Sequence, residues 1–209
     1  MPVTEPTLTV ASTSTGELVG ASARYIKLIR ELSGCYADED SFARLAALRG
    51  DDHAYVVDHF VPCEAEGDLI YGTSTLEPGL VGDEFFMTRG HLHKKADRPE
   101  IYHCLAGHGV MLMETLGGRI VTIELHPGGI VYVPPRWIHR SVNVGAEKLV
   151  TLFCYPADAG QDYEIIADAG GMAALVVADG AGGWKQAPNP HYRGRLANAA
   201  ERIGASETR

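Results

Sequence analysis

The sequence predicts a mainly β protein: a small antiparallel barrel preceded by a short helical N-terminal extension. Three observations carry this. From about Ala54 to Val177 the chain runs in short stretches rich in Val, Ile, Tyr and Thr, broken by Gly, Pro and Asp at the spacing of a sandwich or barrel. No helical crossover separates the central stretches, so their strands should pair antiparallel. Ahead of them, two segments carry apolar residues at helical spacing.

Residues 1 to about 20 are rich in Thr, Ser and Gly, with a short alternation in "TLTV", and are expected to form an arm or edge strand. In "SARYIKLIREL" the residues Tyr25, Leu28, Ile29 and Leu32 fall at i, i+3, i+4 and i+7, which predicts a short helix. In "ADEDSFARLAAL", Asp38 or Asp40 can cap a second helix whose Phe42, Leu45 and Leu48 recur on one side. "GVMLME", the turn "TLGG" and "RIVTIEL" predict a hairpin. "GGIVYVPP" is a strand closed by prolines, "KLVTLFCYP" a further strand, and "GMAALVVAD" suits helix or strand. The polar end, "GRLANAAERIGASETR", suits a frayed helix. The expected organisation is an arm with helices over 1–50, a barrel over 51–180 and a C-terminal segment over 181–209.

Hydrophobic residues make up 45% of the 209 residues and charged residues 22%, ordinary values for one globular domain with a real core. The net charge of -9 disfavours nucleic acid and anionic membrane as partners. No basic and apolar leader pattern opens the chain, and no apolar run of about eighteen residues occurs, so a cytoplasmic location is expected. Cys35, Cys63, Cys104 and Cys154 form no CxxC pair and are expected to be free thiols. Against the acidic background, Arg89, Lys94, Lys95 and Arg98 form a cationic island suited to drawing in an anionic small molecule, or else a solvated charged loop.

That island overlaps the densest chemistry of the chain. His91 and His93 are spaced by two, so an extended strand turns both imidazoles to one face. Glu100 follows after the loop "KKADRP", where a neighbouring strand can begin, and His139 in "VPPRWIH" follows a strand closed by prolines. Three neutral imidazoles and a carboxylate would hold a divalent first-row metal and leave positions open for water or substrate. His103, His108 and His126 are expected to be structural or solvent-facing.

With these residues assembled, the chain resembles the cupin superfamily, double-stranded β-helix barrels that hold a metal through His-x-His, Glu and a later His. Gly107 falls as in the first cupin motif, and Pro134, His139 and Asn143 fall as in the second. Six residues separate His93 from Glu100 where three or four are usual, and Arg136 stands where many cupins have glycine. Within the superfamily, "VGDEFFMTRGHLHKKADRPEIYHCLAGHGVML", "IVYVPPRWIHRSVN" and "YPADAGQDY" resemble the cupin-type phosphoglucose isomerases, a likeness that runs from about Thr15 to about Tyr192.

The resemblance implies conversion of glucose 6-phosphate to fructose 6-phosphate in glycolysis and gluconeogenesis. It implies one divalent metal per subunit, iron being usual, with nickel, manganese, cobalt or zinc as alternatives. By position, His91, His93, Glu100 and His139 match the metal ligands, while Thr88, Gly90, Tyr102 and Tyr155 fall beside the sugar phosphate. Ser74 falls where a threonine is often found. Glu100 is the candidate general base for moving a proton between C1 and C2, with a hydride shift as the competing route. Other metal-dependent cupin enzymes, such as a dioxygenase or decarboxylase, and a non-catalytic sugar-binding cupin remain as alternatives. Exposed strand edges on a small barrel suit pairing into a homodimer.

Overall fold

The computed structural model describes residues 6–195. The chain opens with β1 (Val10–Ala11) and β2 (Leu18–Val19), which pair antiparallel, so the expected arm is a short hairpin. There follow β3 (Ala23–Leu28), a 3-10 turn over Ile29–Leu32 and helix α1 (Glu39–Arg49). The body comprises β4 (His53–Phe60), β5 (Leu69–Leu76), β6 (Leu80–Val81), β7 (Glu84–Phe85), β8 (Glu100–Ala106) and β9 (Gly109–Thr115). It continues with β10 (Ile120–Leu125), β11 (Ile130–Val133), β12 (Trp137–Asn143) and β13 (Leu149–Pro156). Helix α2 (Glu164–Ala167), β14 (Ala174–Ala178) and β15 (Trp184–Pro188) complete the described fold.

The mainly β antiparallel barrel predicted from the sequence is the architecture observed. Its larger wall is a sheet in the order β11-β8-β13-β5-β4-β3, and its smaller wall is β10-β9-β12. The segment 87–92 runs along the free edge of β12 through the bridges Met87↔Val142 and His91↔His139. A third sheet, β15-β14-β7-β6, closes one side, and "GMAALVVAD" proves to be its strand β14. The hairpin β9–β10 is as expected, with Ile120 opposite Glu114.

The helix expected over "SARYIKLIREL" is replaced by β3 and a 3-10 turn. The open edge of β4 accepts residues 23–28 as an antiparallel strand, while Ile29 and Leu32 need only the three-residue repeat of one 3-10 turn to be buried together. A segment expected outside the barrel therefore forms the edge of its main sheet. Helix α1 is as expected, with the Asp38 carboxylate accepting from the Ser41 N–H at 2.8 Å. Its buried side chain is Phe42, flanked by the partly buried Leu45 and Ala46, whereas Leu48 is 85% exposed. A repeat of three drifts round a helix of 3.6 residues per turn, so i+3 and i+4 stay on the inner face and i+6 leaves it.

One continuous core joins the walls, from Leu76, Met111, Leu112, Ile138 and Leu149 to Val176. Each such side chain contributes roughly 2 kcal/mol by leaving water. Two buried polar residues tie the ends. Asn143 donates to the Leu76 and Glu147 carbonyls and accepts from Gly145 N. Glu114, fully buried on β9, accepts from Arg195 at 2.6 Å, from Tyr192 and from Ala173 N, strapping the chain after β15 back to the barrel. Most of "GRLANAAERIGASETR" lies outside the described residues. The four cysteines are free, and no helix among the described residues is long and apolar enough to cross a membrane.

Candidate metal centre and cavity

His91, Leu92 and His93 lie extended across the free edge of β12. His91 pairs directly with His139: each backbone N–H donates to the other's carbonyl, at 3.1 and 3.0 Å. The strand alternation read from the sequence sends His91 and His93 to one side and buries Leu92 on the other. Glu100 enters from the opposite wall as the first residue of β8. One ligand atom from each of His91, His93, Glu100 and His139 lies within 4.8 Å of all the others. His103, His108 and His126 are not in the group, as expected.

The donor set fits a cation. His93 Nδ1 lies 2.8 Å from the Arg98 carbonyl and His139 Nδ1 lies 3.1 Å from the Trp137 carbonyl. A carbonyl only accepts, so both Nδ1 atoms carry the proton and both Nε2 lone pairs point inward. There they meet Glu100 Oε2, at 3.2 Å from His93 and 2.9 Å from His139. His91 Nε2 is buried without a hydrogen-bond partner among the described residues and stands 3.8 Å from the same oxygen. Lone pairs facing one carboxylate oxygen repel unless a proton or a metal ion lies between them. Burial, with the neighbouring His139, pushes the His91 pKa well below the usual imidazole value, which keeps it in the neutral form that ligates. Burial alone would raise the Glu100 carboxyl, but with a proton between it and the imidazoles the contacts from His139 and His93 outweigh burial and hold it well below the usual carboxylate range.

Between the two walls lies a cavity of about 340 Å³. His91, Glu100 and His139 line it, with His93 packed behind them. The structure brings all five sequence-predicted sugar contacts, Ser74, Thr88, Gly90, Tyr102 and Tyr155, to the same cavity. Gly90 has a φ of +73°, and a Cβ there would stand 2.9 Å from the Arg140 Cβ and the His139 carbonyl. The reason is a bulge: between the Met87↔Val142 and His91↔His139 bridges, Thr88, Arg89 and Gly90 oppose only Arg140 and Ser141. The extra residue turns Thr88 into the cavity wall, where its hydroxyl oxygen accepts from Ser141 N at 3.1 Å. Arg136, where many cupins have glycine, adopts a φ of 68°.

The cationic island is largely dismantled by the fold. Lys95 donates to Asp158 at 2.6 Å, and Arg98 bonds Asp158 at 2.7 Å, Glu66 at 3.1 Å and Asp97 at 3.0 Å. These pairs clamp the loop 94–99 onto the "YPADAG" segment, and Lys94, Lys95 and Arg98 do not line the cavity. Arg89 alone of the four lines the cavity, its guanidinium 4.7 Å from the Tyr163 ring.

Sequence reasoning missed other cavity residues: His59, Arg140, Gln161 and Tyr163. Arg140 is 4% exposed, donates to Met87 Sδ and the Arg89 carbonyl, and keeps its Nε without a partner among the described residues. Tyr163 donates to Gln161 Oε1 beside the mouth.

The family model described as Glucose-6-phosphate isomerase (GPI) matches residues 26–193. A protein of Sinorhizobium medicae (strain WSM419) named "Glucose-6-phosphate isomerase" is 49% identical over 191 residues, covering 91% of this chain and 89% of its own. "Putative glucose-6-phosphate isomerase 2" of Rhizobium meliloti (strain 1021) is 50% identical over 190 residues, 91% of this chain and 95% of its own. "Glucose-6-phosphate isomerase" of Thermococcus gammatolerans (strain DSM 15229 / JCM 11827 / EJ3) is 44% identical over 178 residues, 85% and 92%. Among solved structures, recombinant oxalate oxidase in complex with glycolate overlaps 54% of this chain and 56% of its own, with a TM-score of 0.45 and 13% identity.

Proposed function

The chain belongs to the glucose-6-phosphate isomerase (GPI) family, and we propose that it interconverts glucose 6-phosphate and fructose 6-phosphate with one divalent metal ion held by His91, His93, Glu100 and His139. The observation that carries the reading is the convergence of those four ligand atoms, one of them an orphaned buried nitrogen, on the wall of a cavity sized for one sugar phosphate. Three imidazoles and a carboxylate suit first-row divalent metals, and the family resemblance favours Fe(II) over nickel, manganese, cobalt or zinc. When bound, the ion polarises the sugar's carbonyl and adjacent hydroxyl oxygens, which acidifies the C–H bond beside the carbonyl.

Glu100 moves the proton between C1 and C2. The three imidazoles converge on its Oε2, and Oε1 of the same carboxylate is the oxygen assigned to the carbon-bound proton. Tyr102 and Tyr155 stand on neighbouring strands beside Glu100 and flank the sugar. Thr88, Gly90 and Ser74 hold the phosphate end. The guanidinium of Arg89 supplies the positive charge that the paired Lys95 and Arg98 do not. A cytoplasmic enzyme of glycolysis or its reverse is the reading that the proposed substrate and the free thiols support. A homodimer fits the outer face of edge strand β11, where Ile130 is 68% and Tyr132 55% exposed beside Ile101, and light scattering of Tyr132→Glu against wild type tests it.

The test of the activity is direct. Metal-loaded protein, kept without oxygen, should convert fructose 6-phosphate to glucose 6-phosphate, and a chelator should stop it. No product with any of the five metals refutes the reading.

A further inference from the structure

Moving a proton between C1 and C2 requires an open-chain sugar, whereas hexose 6-phosphates in water are almost entirely closed rings. Opening the ring carries one proton from the anomeric hydroxyl to the ring oxygen. Glu100 is committed to the carbon-bound proton and three imidazoles to the metal group, so this step lacks an agent. We propose that His59 opens and closes the sugar ring, a catalytic role that rests on the isomerase reading above.

The register of the main sheet sets the position. Tyr102, Phe153, Gly72 and His59 are successive partners across β8, β13, β5 and β4 and form one inward-facing row. Glu100 lies two residues before Tyr102, and the next row runs Cys104, Thr151, Ser74 and Val57. Rows on one face are about 7 Å apart. His59 therefore stands between the carboxylate end and the hydroxyl end of the cavity, at the level of the sugar ring when C1 is at Glu100 and the phosphate reaches Ser74.

Its surroundings hold the ring and leave its nitrogens free. Gly72 has no side chain between Phe153 and His59, and a Cβ there would stand 2.6 Å from Phe153 Cζ. The two rings accordingly meet edge-on, with centroids 5.4 Å apart at 68°. That contact uses neither imidazole nitrogen, and neither is hydrogen-bonded within the described residues. Among the described residues lining the cavity, His59 is the one imidazole outside the metal group. Burial pushes the hydroxyls of Tyr55, Tyr102, Tyr155 and Tyr163 up. Burial also favours the neutral form of His59. It outweighs the opposing pull of Asp58 on the other face of β4, itself paired with Arg24, and of Glu100 on β8.

The step balances on one group. Neutral His59 takes the proton of the anomeric hydroxyl, and the electron pair left on that oxygen forms the carbonyl. The bond from that carbon to the ring oxygen breaks, and the ring oxygen, leaving with the pair, takes the proton back from the imidazolium. No net proton or electron passes to the protein, and closure of the product ring is the same step reversed.

Exchange NMR on glucose 6-phosphate labelled with carbon-13 at C1 reads the interchange of α and β anomers separately from the appearance of fructose 6-phosphate. Metal-loaded wild type should accelerate anomer exchange beyond its rate of isomerisation. His59→Gln should lose about 100-fold of that acceleration and lower kcat. Its affinity for sorbitol 6-phosphate, an open chain with nothing to open, should change less than about threefold. Added imidazole should restore exchange to His59→Ala. Undiminished exchange in His59→Gln overturns the role, as does an equal loss of sorbitol 6-phosphate affinity, which would mark His59 as a shape-determining wall. A wild type that isomerises without accelerating anomer exchange overturns the role and leaves the isomerase reading standing. A wild type that isomerises nothing refutes both.

Discussion

Replacing Glu100 by Gln tests the division of labour between its two oxygens. The amide keeps the side-chain shape 2.9 Å from His139 Nε2 and 3.2 Å from His93 Nε2 but removes the charge and the basic lone pairs. A positioned carboxylate contributes about 10²- to 10⁴-fold to proton transfer, so kcat should fall by that factor, which is roughly 3–5 kcal/mol in barrier. The amide oxygen is a poorer ligand, so metal content must be measured by plasma mass spectrometry on the sample that is assayed, with metal supplied in excess. Deuterated water adds the second readout: wild type should place solvent deuterium at C2 of glucose 6-phosphate made from fructose 6-phosphate. Full turnover in Glu100→Gln with the metal bound refutes the base assignment, and product free of solvent deuterium in wild type points to a hydride shift.

Asp158→Asn should loosen the clamp on Lys95 and Arg98 and with it the carbonyl that orients His93, weakening metal affinity about tenfold in a competition with a chelating dye. Arg89→Gln should raise KM about tenfold with kcat little changed, as measured by steady-state kinetics, because its charge meets the phosphate in ground and transition states alike. Burial raises the Glu84 carboxyl from 4.5 to about 7. The folded state then holds the proton more tightly than the unfolded chain, so its contribution is fully present below about pH 4.5 and is lost as pH rises through about 7. Glu84→Gln should therefore raise the denaturation midpoint at pH 8, by roughly 3 kcal/mol in stability, and have little effect at pH 4. An equal effect at both pH values refutes the buried proton.

Much of the candidate site was legible because its parts obey local rules. The alternation of an extended strand makes His91 and His93 neighbours on one face, and that holds whatever the strand packs against. Closing prolines and the "TLGG" turn set strand ends, so Glu100 and His139 could be placed near a sheet rim before any pairing was known. The missed residues lacked such a rule. In "AYVVDHF" the alternation separates Asp58 from Val57 and His59, yet Asp58 is also buried, sealed by Arg24 and Leu18 N. Both faces of that strand are covered, and polarity does not say which one looks into a cavity.

The sequence by itself determined the strand-rich barrel, the capped helix, the hairpin and the four metal-ligand candidates, since propensity, turn chemistry and side-chain period act over a few residues. Tertiary structure decided the rest. Pairing with β4 drew residues 23–28 out of the predicted helix and into a strand, and the bulge opposite β12 put Thr88 and Arg89 at the cavity. Asp158, some sixty residues away in the chain, paired with Lys95 and Arg98 and left Arg89 as the member of the cationic island that lines the cavity. Charge pairing and face selection depend on which distant strands meet. That meeting is fixed by burying the whole core at once, a free energy no single segment contains.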